Sequence, residues 1–176
     1  MITVVQGNVL DSAEQYVVQQ CDCISPKPTK LDADYLEEFP WATVYEDRQP
    51  MNGFRNLAHH DSQGKPGEIK VYDSGYDQDP KVIAIFSQIC PGKSFTGMNS
   101  KRRYKDDSVE NRLQLFTKCL EKITELKPES IAFPDKIGCL NNNGGDWEAY
   151  SDILQEFADK NPDCYILVYH DATMKQ

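Results

Sequence analysis

Between Ser108 and Tyr169 two long amphipathic runs alternate with two short apolar ones, and that order leaves few folds open. Val109, Leu113, Phe116, Leu120, Ile123 and Leu126 recur at helical spacing and stop before Pro128, which predicts a helix with one buried face and Ser108 as its cap. Ser130–Phe133 reads as a short buried strand and Trp147–Lys160 as a second amphipathic helix through Tyr150, Ile153, Leu154 and Phe157. Tyr165–Tyr169 is the last strand. Strands alternating with helices imply a sheet that the helices cover on its faces, an α/β class.

The first half is consistent with the same sheet. Met1–Val5 predicts a buried strand running into a turn at Gln6-Gly7-Asn8, and Tyr16–Ile24 a second strand carrying Cys21 and Cys23. Pro26 and Pro28 break the pattern into a loop, after which Leu31–Phe39 reads as a short helix ended by Pro40. Gly67–Tyr72 and Val82–Ile89 are two clearer strands. Trp41–His60 takes no assigned structure beyond a covering segment with turns, and Asn99–Asp107, with its basic run Lys101–Lys105, reads as a mobile loop. No internal repeat or low-complexity segment is present. A chain of 176 residues with 39% hydrophobic residues suits a single domain, 1–176.

Charge and cysteine content narrow the function. Nineteen Lys and Arg against 28 Asp and Glu give a net charge of -9, which argues against direct nucleic-acid binding and against an anionic membrane as the main partner. A small anionic ligand stays open, because backbone N–H groups bind phosphate without net positive charge. Six cysteines, several inside apolar runs, do not make a disulfide scaffold and read as reduced thiols. No run approaches the ~20 apolar residues of a membrane span, so the expected setting is cytoplasmic, or nuclear as well.

The stretch from Ser130 to Trp147 carries the most chemistry. A buried strand ends, a loop runs Pro134-Asp135-Lys136-Ile137-Gly138-Cys139-Leu140-Asn141-Asn142-Asn143-Gly144-Gly145, and a helix begins at Asp146. Ligands of open α/β sheets sit at such strand-to-helix crevices. Glycines let several N–H groups converge and the helix start adds partial positive charge, which suits a diphosphate. The alternative is a flexible surface turn with Asp146 as a helix cap.

With these residues in view the chain resembles a known family. Gly7-Asn8-Val9-Leu10 after the first strand resembles the opening of macro domains, modules that bind ADP-ribose. Phe133-Pro134, Ile137-Gly138-Cys139 and Gly144-Gly145-Asp146-Trp147 resemble the phosphate loop of the branch that includes phosphatases acting on ADP-ribose 1''-phosphate. Phe39-Pro40-Trp41-Ala42, Tyr45, Pro66-Gly67-Glu68-Ile69, Gln88 and Pro91-Gly92-Lys93 fall between them in that branch's order, so the likeness spans nearly the whole chain. It implies a three-layer α/β/α domain with a central mixed sheet, and ADP-ribose or ADP-ribose 1''-phosphate as ligand. Asn8 and Val9 would lie near adenine, Gly138, Cys139, Leu140, Asn141, Asn142, Asn143, Gly144 and Gly145 around the diphosphate, and Asp22 near the distal ribose. Hydrolysis of the 1''-phosphate would use Asp22 or Asp146 to orient or deprotonate water, with neither metal nor cofactor. The rival expectations are a reader of ADP-ribose or of ADP-ribosylated proteins, and a hydrolase removing ADP-ribose from protein side chains.

Three positions depart from the family pattern. Asn8 stands where a carboxylate usually accepts from the adenine amino group; an amide can accept and donate there without charge assistance, or merely shape the turn beside Gly7. Asp22 stands in place of an asparagine, as a general base, as a charge that lowers affinity for a phosphate ester, or as a solvated strand-end carboxylate. Leu140–Asn143 replaces a shorter glycine-containing run.

Other groups have ordinary explanations beside functional ones. His59-His60 could supply an acid or base, or simply be exposed. Cys21 and Cys23 face the same side of a strand, where thiols pack as small apolar groups; a zinc site would need two more ligands, with only His59 and His60 to provide them. Cys139 could act as a nucleophile at a helix start or as a plain loop residue. Lys101–Lys105 could attract an anion or be a solvated loop.

Overall fold

The structure, a computed structural model, describes residues 1–97, 106–139 and 143–171. Eight strands and three helices follow one another as β1 (Ile2–Gln6), β2 (Tyr16–Asp22), α1 (Lys30–Glu38), β3 (Pro50–Met51), β4 (Phe54–Ala58), β5 (Ile69–Tyr72), β6 (Lys81–Gln88), α2 (Val109–Glu125), β7 (Ser130–Pro134), α3 (Trp147–Lys160) and β8 (Tyr165–His170). Six of the strands form one sheet in the order β1-β8-β7-β2-β6-β5, and β3 pairs with β4 in a separate hairpin. All neighbours in the large sheet are parallel except β5 and β6.

β2, β6 and β7 lie inside the sheet and are buried on both faces, which is why they read as nearly unbroken apolar runs. Val18, Ile83, Ile85, Ile131 and Phe133 face α2 and α3 through Phe116, Ile123, Tyr150, Leu154 and Phe157. The alternate residues Val17, Val82 and Ala132 meet Tyr35 and Phe39 of the α1 region on the other face. Period-two alternation therefore builds two apolar layers, and the result is an α/β/α sandwich around a mixed sheet. Ser108 caps α2 by accepting from the Asn111 N–H at 3.1 Å.

Three expectations change. Met1–Val5 is not buried: β1 is an edge strand, with Met1 88% and Val4 66% exposed, because only β8 flanks it. The segment Trp41–His60 contains the β3–β4 hairpin, tied to the turn that follows β2 by the Ala58 N–H donating to the Ile24 carbonyl at 2.7 Å. Within Asn99–Asp107 only Asp106 and Asp107 are described, and Asp107 is fully buried rather than part of a solvated loop. Lys101–Lys105 lies outside the described residues. Among the described residues no helix is long and apolar enough to cross a membrane.

Candidate functional site

The carboxyl ends of β7, β2 and β6 open onto a cleft of about 270 Å³, the position where parallel sheets hold ligands. Its floor is an amide relay. Gln20 Nε2 donates to Gln88 Oε1 at 2.7 Å, Asn143 Nδ2 reaches the same oxygen at 3.4 Å, and Gln88 Nε2 donates to the Cys90 carbonyl at 3.0 Å. Gln20 Oε1 is buried with no hydrogen-bond partner among the described residues, an acceptor left over in the wall of the cleft.

One side wall is the start of α1. Asp32, 5% exposed, accepts from Gln19 Nε2 at 3.1 Å, from the Thr29 N–H at 2.9 Å, from the Thr29 hydroxyl at 2.6 Å and from the Tyr45 hydroxyl at 2.6 Å. Four donors hold this carboxylate in one orientation inside the cleft. Burial, followed by the charges around it, pushes the Tyr45 phenol far above its ordinary value, so it donates to Asp32 and does not ionise.

Asp22 also lines the cleft, but it is 3% exposed, so it is not a solvated strand end. Its Oδ1 accepts from the Ile24 N–H at 2.9 Å and the Ser25 N–H at 2.6 Å, turning the chain out of β2. Burial raises its pKa, against the opposing pull of those N–H groups and of Arg48. Arg48 is itself buried: it donates to the Ser25 carbonyl at 2.8 Å and the Asp22 carbonyl at 2.7 Å, and lies over the rings of Tyr45 and Phe86.

The opposite wall is the loop after β7. Gly138 lines the cleft with φ +82°, and a Cβ there would fall 2.3 Å from Tyr150 Cζ, so glycine is required on both counts. Gly145 is crowded as well, since its Cβ would meet the Gly138 carbonyl oxygen at 2.4 Å. Among the described residues no acceptor pairs with the backbone N–H of Ile137, Gly138, Gly144 or Gly145. Arg112, 2% exposed, fastens this loop to the one after β6. It donates to Asp107 Oδ1 at 3.1 Å and Oδ2 at 2.6 Å, to the Gly92 carbonyl at 2.9 Å, to the Cys90 carbonyl at 3.1 Å and to the Asn143 carbonyl at 3.4 Å.

The other sequence candidates fall around this cleft in different ways. Asn143 lines it, whereas Leu140, Asn141 and Asn142 lie outside the described residues. Asn8 and buried Val9 sit past the end of β1, where the Gly7 N–H donates to the His170 carbonyl at 3.1 Å. Asn8 Oδ1 accepts from the Leu10 N–H at 3.0 Å and so shapes the turn. Asp146 is exposed and caps α3 through the Glu148 N–H at 3.1 Å; it does not line the cleft. Cys139 is half-buried, and burial pushes its thiol up to about 11, with Asp146 adding to the shift. At neutral pH it is therefore not a thiolate nucleophile. Cys21 and Cys23 pack together in an apolar cluster with Ile24, Leu57 and Phe86. His59 and His60 are exposed on a short turn beside Asp61, away from the cleft. Arg48, Arg112, Asp32 and Gln88 organise the site, yet sequence reasoning missed the first three, because isolated charged residues in helices and turns ordinarily signify solvent; Gln88 appeared only as a match in the family order.

No family model matches the chain, and no curated protein matches it by sequence. Solved structures do match. The macrodomain of Mycobacterium tuberculosis DarG superposes with a TM-score of 0.66 at 20% identity, covering 96% of this chain and 97% of that one. The macrodomain of Thermus aquaticus DarG gives 0.62 at 20% identity over 97% and 98%. The Trypanosoma brucei macrodomain in complex with ADP-ribose gives 0.57 at 14% identity, over 97% of this chain and 63% of that one. Layers, mixed sheet and cleft position together define an α/β/α protein of the macrodomain fold.

Proposed function

We propose that this chain binds ADP-ribose or ADP-ribose 1''-phosphate across the carboxyl ends of the parallel strands. The base lies toward Asn8 and Val9, the diphosphate on the amides of the 138–145 loop, and the distal ribose toward Asp22. The carrying observation is the glycine loop at the cleft, where Gly138 is forced against Tyr150 and the N–H groups of Ile137, Gly138, Gly144 and Gly145 have no acceptor among the described residues. Uncommitted backbone donors beside a helix start favour a diphosphate over a neutral ligand. The fold shared with the Trypanosoma brucei macrodomain, known in complex with ADP-ribose, supports the same ligand.

The reaction we assign to the site is hydrolysis of the 1''-phosphate. Water attacks phosphorus, the bond from phosphorus to the 1'' oxygen breaks, and ADP-ribose and inorganic phosphate leave. Of the two carboxylates the sequence singles out, Asp22 lines the cleft and Asp146 does not; Asp32 lines it too, but four donors already occupy its oxygens, so Asp22 takes the proton from water and returns it to the departing ribose oxygen. Its pKa, raised by burial, makes it a stronger base than an exposed aspartate. Loop amides stabilise the charge on the phosphoryl oxygens.

A second reading, a reader without turnover, is favoured by the two N–H groups already bonded to Asp22 and by the four donors around Asp32. Calorimetry with ADP-ribose and phosphate release from ADP-ribose 1''-phosphate separate the two. The phosphatase shows both, and Asp22→Asn lowers release about a hundredfold or more while retaining ADP-ribose. Heat without phosphate release from the unaltered chain selects the reader, and no heat at millimolar ADP-ribose refutes both.

A further inference from the structure

Tyr150, in the first turn of α3, backs the glycine loop. It is fully buried and does not line the cleft, yet it packs against Gly138, which does. A Cβ added at Gly138 would meet Tyr150 Cζ first, then Cε1 and Cε2, so the glycine rests on the hydroxyl-bearing end of the ring. Phe116 packs on the same ring at 4.9 Å between centroids. The ring is held from both sides, and its hydroxyl cannot travel far. That hydroxyl is buried and has no hydrogen-bond partner among the described residues. Burial pushes the phenol well above its ordinary value, so at neutral pH it is a proton donor.

Folded chains seldom leave a buried donor unpaired, because each one forfeits the hydrogen bonds it made to water. The groups whose charge reaches the hydroxyl are Cys139, Arg112 and Asp107. Arg112 has no acceptor to offer and a thiol is a weak one. Asp107 already accepts from Arg112 twice and from the N–H groups of Ile89 and Cys90. One acceptor is unspent. The carbonyl of buried Gly138 crowds Gly145 and accepts from no donor among the described residues. A donor and an acceptor therefore stand unpaired on either side of one glycine, the residue with the freedom to bring them together. We infer that Tyr150 is a positioning residue for the diphosphate: when the ligand binds, the loop shifts so that the Gly138 carbonyl accepts from the Tyr150 hydroxyl, and this bond holds the loop amides on the phosphates. The loop is the moving partner, since the ring is fixed between Phe116 and Gly138.

The inference rests on the ADP-ribose reading, and the test keeps the two apart. Tyr150→Phe removes the oxygen and keeps the ring. In the ligand-free chain no hydrogen bond is lost, so the urea midpoint should stay where it is or rise. Calorimetry should show ADP-ribose bound about five- to tenfold more weakly, the worth of one hydrogen bond formed only on binding. A tyrosine that serves packing alone would leave affinity unmoved, because phenylalanine fills the same space. The carbonyl carbon of Gly138 reports the bond itself: in isotopically labelled chain its signal should move to lower field as ADP-ribose saturates the unaltered protein, and should not do so in Tyr150→Phe. Equal affinity in the two chains, a urea midpoint that falls together with affinity, or a carbonyl signal that behaves alike in both overturns the role of Tyr150 and leaves the ADP-ribose reading standing. No binding of ADP-ribose by the unaltered chain overturns both.

Discussion

Replacing Arg112 with methionine should destabilise the chain far more than an ordinary surface substitution. The guanidinium makes two bonds to Asp107, at 3.1 and 2.6 Å, and three to the carbonyls of Gly92, Cys90 and Asn143. Methionine fills most of the space but supplies no donor. Among the described residues, Asp107, 0% exposed, would keep only the N–H groups of Ile89 at 3.1 Å and Cys90 at 3.0 Å. A buried carboxylate stripped of its cation costs about 3–5 kcal/mol, a large part of the ~5–15 kcal/mol that holds a typical domain together. Urea unfolding of Arg112→Met should show this loss. Adding Asp107→Asn should recover about 1 kcal/mol or more, because the unpaired charge goes while the amide oxygen still accepts. A loss below about 1 kcal/mol in the single variant, or a further loss in the double variant, would refute the assignment of the cost to a stranded charge.

Gly138→Ala should lower stability by about 2–4 kcal/mol, combining a positive φ with overpacking against Tyr150, and should weaken ADP-ribose binding in calorimetry; unchanged unfolding would show that the loop yields freely. Asp22 holds its proton to a higher pH in the folded chain than the 3.8 of an ordinary aspartate. Between those values the folded state therefore binds more protons, and stability falls as pH rises. Asp22→Asn should flatten that decline in urea titrations from pH 4 to 7, and an unchanged slope would count against it. Cys139, with a thiol near 11 rather than 9.0, has a thiolate fraction about a hundredfold below that of an ordinary cysteine, and its greater intrinsic nucleophilicity recovers only part of this. Its alkylation by iodoacetamide at pH 7.5 should be about tenfold slower than that of a free cysteine, as mass spectrometry of the folded chain can measure; an equal rate would contradict the burial argument.

Much of the fold was legible because its strongest elements follow their own periodicity. α2 and α3 show their apolar stripes in the sequence, and α3 begins and ends as the pattern predicts, at Trp147 and Lys160. β2 and β6 were legible as apolar runs because central parallel strands are buried on both faces. β1 has the same composition but lies at the edge, a fact set by strand order and invisible in five residues. The β3–β4 hairpin hid because β3 is two residues long, with a proline, and carries no alternation. The glycine loop announced itself through Gly138, Gly144 and Gly145. The groups that brace it did not: Asp107 falls in a stretch that reads as a mobile loop, and its partner Arg112 lies five residues along, in the first turns of α2. Spacing alone cannot tell a buried ion pair from a solvated one. Asp32 was overlooked for the same reason, since the four donors that hold it come from three separate segments.

The claim on which the function rests is that loop amides bind a pyrophosphate, and backbone resonances report that directly. In a titration of isotopically labelled chain with ADP-ribose, the N–H signals of Ile137, Gly138, Gly144 and Gly145 should move most, together with Asn8 and Val9, and saturate along one isotherm. Inorganic pyrophosphate should shift the four loop amides and leave Asn8 in place. Loop signals that stay fixed while ADP-ribose shifts residues elsewhere, or that ignore both ligands, would contradict the account.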